Sequence, residues 1–189
     1  MKMSGGDCGA GLVHFVRSSI SEGHRNEAGS FQHSVSGVGK VTLSVALRSL
    51  HPEEGIADQW RAIGARALVP NLFYEIEYAQ AAALAFGKDV KLLTVHIGHA
   101  GTGKMVAAWP VRVSRFRWGV PLRVLGGWAH PFAASGVPLL DPDYAEPALA
   151  ALLGAGKSLA GLPPRVFMPL IPDEGPFRDV LNRVQAEHG

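Results

Sequence analysis

Residues 90–113, VKLLTVHIGHAGTGKMVAAWPVRV, hold the choice between two architectures. Gly98-His-Ala-Gly-Thr-Gly103-Lys104 follows an apolar, β-prone run and has the Gly-x4-Gly-Lys spacing of a phosphate-cradling loop. Such a loop also needs a Ser or Thr hydroxyl after the lysine to hold magnesium, and a helix whose first amides face the phosphates. Met105 stands at the hydroxyl position, and Val106-Ala-Ala-Trp-Pro-Val111 has the composition of a strand. The stretch therefore predicts an antiparallel hairpin, residues 90–97 against 105–113, joined by a Gly-rich loop. Pro110 lacks an N–H and is expected at a bulge or a sheet edge. Nucleotide binding at 98–105 remains as a minor alternative.

Upstream, Val41-Thr-Leu-Ser-Val-Ala-Leu47 alternates apolar and polar side chains, the pattern of a half-buried strand. His51-Pro52 ends it. Residues 58–68 then place Trp60, Ile63 and Ala67 near one helical face, with Leu68 beside them. Pro70-Asn71 punctuates, and a second helix, residues 76–86, stops at Gly87. Residues 1–39 are rich in Gly and Ser without a sustained apolar period, so they are expected to form a disordered leader. One domain is expected over residues 40–187.

Downstream, Leu122-Arg-Val-Leu125 reads as a short strand, and residues 126–142 as a long Gly/Pro-rich loop. Asp143 is expected to cap a helix over residues 144–159, with Pro147 in the permitted first turn. Residues 165–171 read as a last strand. A final helix starts at Pro176, with Phe177, Val180, Leu181 and Val184 facing inward. This order predicts a mixed α/β (α+β) fold with a largely antiparallel sheet.

With 47% hydrophobic and 18% charged residues and a formal net charge of +2, the chain has the composition of a folded domain without the basic footprint of a nucleic-acid binder. Cys8 is the single cysteine, so no internal disulfide and no Cys/His zinc spacing are expected. No segment reaches the length of a membrane span, and the run at residues 12–16 is too short for a signal peptide. A cytoplasmic address is the expectation.

Few residues have the makings of a site. Glu75 and Glu77 stand two apart, so on a helix they diverge by roughly 200° and only one can face a pocket. Trp128-Ala-His130-Pro-Phe132 concentrates an indole and an imidazole in a loop beyond a strand end. Ser135 lies in no nucleophile elbow, and Asp141, before Pro142, reads as a turn or cap residue. Arg61-Ala-Ile-Gly64-Ala-Arg66 approaches the Gln/Arg-x-x-Gly-x-Gly/Ala loop of acyl-CoA sites, but Arg66 fills a position that must be small and the string lies within an amphipathic helix. Gly156-Lys-Ser158 is a second near-match to a phosphate loop and reads as a helix end, with Ala151 where the first glycine belongs.

Taken in order, Trp60-Arg-Ala-Ile-Gly-Ala-Arg-Ala67, Pro70-Asn-Leu-Phe-Tyr-Glu75, Trp118-Gly-Val-Pro-Leu-Arg-Val-Leu125, Gly127-Trp-Ala-His-Pro-Phe132 and Pro138-Leu-Leu-Asp141 resemble the GNAT-family acetyltransferases associated with cellulose biosynthesis. That family resembles tandem GNAT folds, related in plan to Fem-like aminoacyl transferases, with the acyl-CoA site in the later half. The resemblance covers about residues 41–184. It implies a three-layer α/β/α GNAT-like N-terminal half, with acetyl-CoA as the cofactor if the chain is active. Tyr74, Glu75, Trp128 and His130 become candidates for the substrate-binding or interdomain surface, and Glu75 and His130 for proton transfer. A small amine or sugar-linked acceptor is implied, as is a partner domain or self-association. The other reading is a noncatalytic GNAT-like module that docks another chain.

Overall fold

The computed structural model describes residues 28–35, 39–87, 89–100, 102–115 and 119–188. We number its strands β1 (Ala28–Val35), β2 (Gly39–Ser49), β3 (Lys91–Ile97), β4 (Lys104–Ser114), β5 (Val124–Gly127), β6 (Leu139–Leu140) and β7 (Val166–Phe167). The helices are α1 (Glu54–Gly64), α2 (Ile76–Phe86), α3 (Ala145–Ser158) and α4 (Pro176–His188).

The hairpin reading of residues 90–113 holds: β3 and β4 pair antiparallel from Lys91↔Val111 to Ile97↔Lys104. Lys104 opens a strand, not a helix, so the backbone that would present amides to a phosphate is missing after residues 98–103. The bulge falls away from Pro110, between Val95 and His96, where the register passes over Val106. Pro110 sits instead in a gap along one side of β4, between the Ala107–Ala108 pairing with β6 and the pairing with β5 that starts at Val111.

Outward from this hairpin the sheet runs β1-β2-β3-β4-β5-β7, with β6 pairing β4. Every pair is antiparallel except β5 with β7. The fold is thus mixed α/β with a largely antiparallel central sheet, as the element order predicts. One boundary moves: Ala28–Val35, expected as leader, pair with β2 along their whole length. Gly39, the last residue of the expected leader, opens β2, and residues 1–27 and 36–38 lie outside the described residues. A polar strand at a sheet edge needs no apolar alternation to hold its hydrogen bonds, which is why composition hid it.

α2 forms where its good helix formers and Gly87 place it. α1 starts at Glu54, four residues before the expected 58, and ends at Gly64. The α3 boundary is corrected too: Asp143 is not the cap. Asp141 caps a 3-10 turn, Pro142–Tyr144, by accepting from the Asp143 N–H, and α3 follows directly. β7 keeps only two of the residues expected in strand 165–171, because Pro169 has no N–H to add to a ladder and Leu170 adopts φ 52°. In α4, Phe177, Val180, Leu181 and Val184 are all buried, as their spacing predicts.

β3 is buried from Leu92 to His96 and β4 from Met105 to Val111, so both faces of the central hairpin are covered. α3 packs across β1 to β4 and carries α4, while α1 packs on β4 and β6 beside α2. Alanine-rich α3 is buried from Pro147 to Ala155, which its small side chains permit by close approach to the sheet. Among the described residues no helix is long and apolar enough to cross a membrane.

Candidate functional site

Tyr74 closes a sheet defect that Pro110 creates. Opposite Pro110, the Trp128 N–H donates to the Pro110 carbonyl at 2.9 Å. The reciprocal bond would need a Pro110 N–H, which does not exist. The Tyr74 hydroxyl takes its place and donates to the Trp128 carbonyl at 2.9 Å. The Tyr74 carbonyl in turn accepts from the Trp60 indole at 2.8 Å. The phenol is fully buried, and burial holds its pKa well above the usual range. Tyr74 is therefore set between α1 and the β5 end with its hydroxyl already engaged.

Trp128 and His130 follow directly from β5. Gly87 has no room for a Cβ because Val90 and the Trp128 indole would lie 2.9 and 3.1 Å from it. Gly127 is tight for the same reason, with Trp109 at 2.8 Å. These glycines seat the two indoles and fix the entry of the 128–138 loop. Asn71, 2% exposed, ties the loop down: its Nδ2 donates to Val137 O at 2.7 Å, and its Oδ1 accepts from Phe73 N at 3.2 Å.

The His130 imidazole lies among aromatic rings. Phe86 stacks on it at 5.3 Å and Tyr78 at 5.8 Å, while Trp128 meets it tilted at 5.2 Å and Phe73 edge-on at 6.2 Å. Tyr78, Ala82 and Phe86 recur every four residues along α2, so one stripe of that helix supplies two rings and the small residue between them. His130 Nδ1 accepts from the Phe132 N–H at 3.3 Å, which leaves the proton of the neutral ring on Nε2. Burial lowers the pKa of the imidazole. Phe132, 68% exposed, and Phe86, 43% exposed, meet at 5.5 Å and carry the cluster to the surface.

Glu75 is elsewhere. It is the extended residue before α2, makes no capping bond, and lines a shallow cleft of about 240 Å³ with Trp60, Arg61, Ala65, Ile76 and Glu77. Glu75 and Glu77 thus face one cleft, contrary to the helical-divergence expectation, because Glu75 lies outside the helix on which that angle was reckoned. Arg61 bonds Glu77 at 2.7 Å and Asp58 at 3.0 Å, leaving the cleft acidic. None of the His130 ring neighbours lines it. The structure therefore brings Tyr74, Trp128 and His130 together and leaves Glu75 apart.

Lys104, the lysine of the phosphate-loop reading, is committed to a carboxylate. Its Nζ lies 2.9 Å from Asp141 Oδ2 and 5.2 Å from the centre of the Tyr144 ring. Arg66 approaches the same oxygen at 3.2 Å and also donates to Met105 O and Ala62 O. Asp141 is thus a buried junction between the end of α1, the start of β4 and the entry to α3, beyond its expected turn role. Sequence reading passed over this junction and over Asn71 and Phe86 as site residues. The four-residue spacing on α2 was the one signal that could have marked Phe86.

The entry to α3 carries Asp141, Asp143 and Glu146, so its N-terminal end faces carboxylates. Among the described residues no group of three His, Cys, Asp or Glu side chains could hold a metal ion. No family model, curated protein or solved structure matches the chain.

Proposed function

We propose that the chain carries a GNAT-like domain of the N-acyltransferase plan that works as a noncatalytic docking module, with its contact surface at Phe86, Phe132 and the His130 loop. The observation that carries this reading is the state of the His130 imidazole: it is packed among four rings, with Nδ1 engaged by the Phe132 N–H and Glu75 on a different surface. A general base must reach the acceptor proton with an accessible lone pair, whereas His130 Nε2, the nitrogen without a partner, is buried and carries the ring proton, and an acyl-CoA pyrophosphate favours a helix N-terminus free of carboxylates. Tyr74 has spent its hydroxyl on Trp128, and α3 begins among Asp141, Asp143 and Glu146. Two exposed phenylalanines in contact supply an apolar surface suited to another protein chain. The mixed, largely antiparallel sheet is compatible with that plan, and the lone Cys8 accords with a reducing, cytoplasmic setting.

Calorimetric titration with acetyl-CoA, together with sedimentation over a range of protein concentrations, tests the reading. We expect no saturable heat from micromolar to millimolar cofactor. We also expect concentration-dependent association that Phe132→Ser weakens. Saturable acetyl-CoA binding lost in His130→Ala or Glu75→Ala would overturn it and restore acyl transfer to an amine or sugar-linked acceptor.

A further inference from the structure

Six side-chain atoms among the described residues are buried without a hydrogen-bond partner, and four of them belong to three residues: Ser44 Oγ, Arg48 Nε and both ring nitrogens of His96. The β2–β3 register sets Ser44 directly beside His96. Arg48 stands four residues along β2 from Ser44, so alternation puts its side chain on the same face. Between them on that face lie Ala46 and Thr94, and the Thr94 hydroxyl is already committed to Ala46 O at 3.3 Å. His96 is fully buried and Ser44 is 5% exposed, whereas Arg48 is half-buried and reaches the surface.

A buried donor left unmet is destabilising, so three such side chains on one face of β2 and β3 carry a cost unless something meets them. The guanidinium is cationic at all ordinary pH. Burial, with Arg48 adding to it, lowers the His96 pKa to about 4, so the ring is neutral at pH 7 and keeps one N–H to give. The unmet set thus comprises a hydroxyl, an imidazole N–H with the second ring nitrogen as an acceptor, and a guanidinium N–H, under a net positive charge. Donors of this kind complement oxygen atoms that carry negative charge.

We propose that Ser44, Arg48 and His96 form a binding site for an oxyanion, the carboxylate or phosphate group of a small ligand, on the β2–β3 face of the sheet. Arg48 supplies the charge and the approach from the surface, and Ser44 and His96 supply the buried polar contacts. The site is independent of the His130 surface and does not rest on the docking reading.

The test is thermal unfolding of the full chain at pH 7, with inorganic phosphate or acetate titrated at constant ionic strength against chloride. A saturable rise in Tm with at least one of the two anions is expected. The apparent affinity should fall about tenfold in Arg48→Met and in His96→Leu. His96→Leu removes a buried unmet polar group and is expected to fold at least as well as the wild type. Should a substitution prevent folding, the His96 ring nitrogens of the wild type serve instead, and their NMR resonances should move with saturating anion. Unmoved resonances, or no rise in Tm with either anion, overturn the proposal. A rise equal in the wild type and both variants means an adventitious ion only and overturns it as well.

Discussion

Asp141 shows how one side chain can hold three elements at once. Its side chain is 2% exposed, and burial alone would raise its pKa. Lys104, the Asp143 N–H and Arg66 outweigh that cost and hold the pKa below the usual carboxylate value. A depressed folded pKa means that the group contributes stability above its unfolded pKa, and that this is lost as pH falls through the folded value. Breaking a fully buried pair costs about 3–5 kcal/mol. Here the partners are 38% and 51% exposed and can rehydrate, so the penalty is smaller. Asp141→Ala is therefore expected to cost about 2 kcal/mol at pH 7 in urea unfolding. The acid limb of its stability profile should be shallower than that of the wild type. An unchanged limb would show that the two cations gain nothing from the carboxylate.

At the scale of elements, the 128–138 loop is shaped by contacts from distant parts of the chain. Gly136 leaves no space for a Cβ, which would fall 1.9 Å from Pro169 O. Asn71 bonds Val137 O and also caps the turn that carries Tyr74. Replacing Asn71 with Ala removes these bonds, together with a longer one to Ser135 O at 3.4 Å, and takes from the Val137 carbonyl its side-chain donor, at a cost of about 2 kcal/mol. We expect lower urea stability together with a changed near-UV signal from Trp128, because the loop and the Tyr74 turn loosen as one. Legibility differs between elements for a related reason. α2 was legible to the residue, because good helix formers before Gly87 act locally. β7 was over-read, because the apolar run 165–171 satisfies a strand pattern while Pro169 and Leu170 turn it toward Gly136, whose N–H donates to Leu170 O at 3.2 Å.

For the molecule as a whole, α3 is the buried axis: it lies on four strands and receives α4. Phe177 opens the buried stripe of α4 and is fully buried. Phe177→Ala deletes a large core side chain that belongs to neither proposed surface and is expected to cost about 3–5 kcal/mol. Equilibrium unfolding in urea should show this as a lower midpoint with an unchanged slope. A loss under 1 kcal/mol would mean that α4 adds little to the core.

The sequence by itself determined the mixed α/β class, the β3–β4 hairpin, the end of α2 and the inward face of α4. Each rests on periodicity, helix formers or turn chemistry, which act over a few neighbouring residues. It also assembled Tyr74, Glu75, Trp128 and His130 as candidates, but could not tell that Glu75 stands apart. Only the tertiary structure decided that Ala28–Val35 join the sheet, that Tyr74 repairs the gap left by Pro110, that Lys104 serves Asp141, and that Ser44 and His96 stand side by side. Those facts depend on strand register and on groups tens of residues apart meeting in space. A local pattern constrains which face a side chain takes but not which partner waits there.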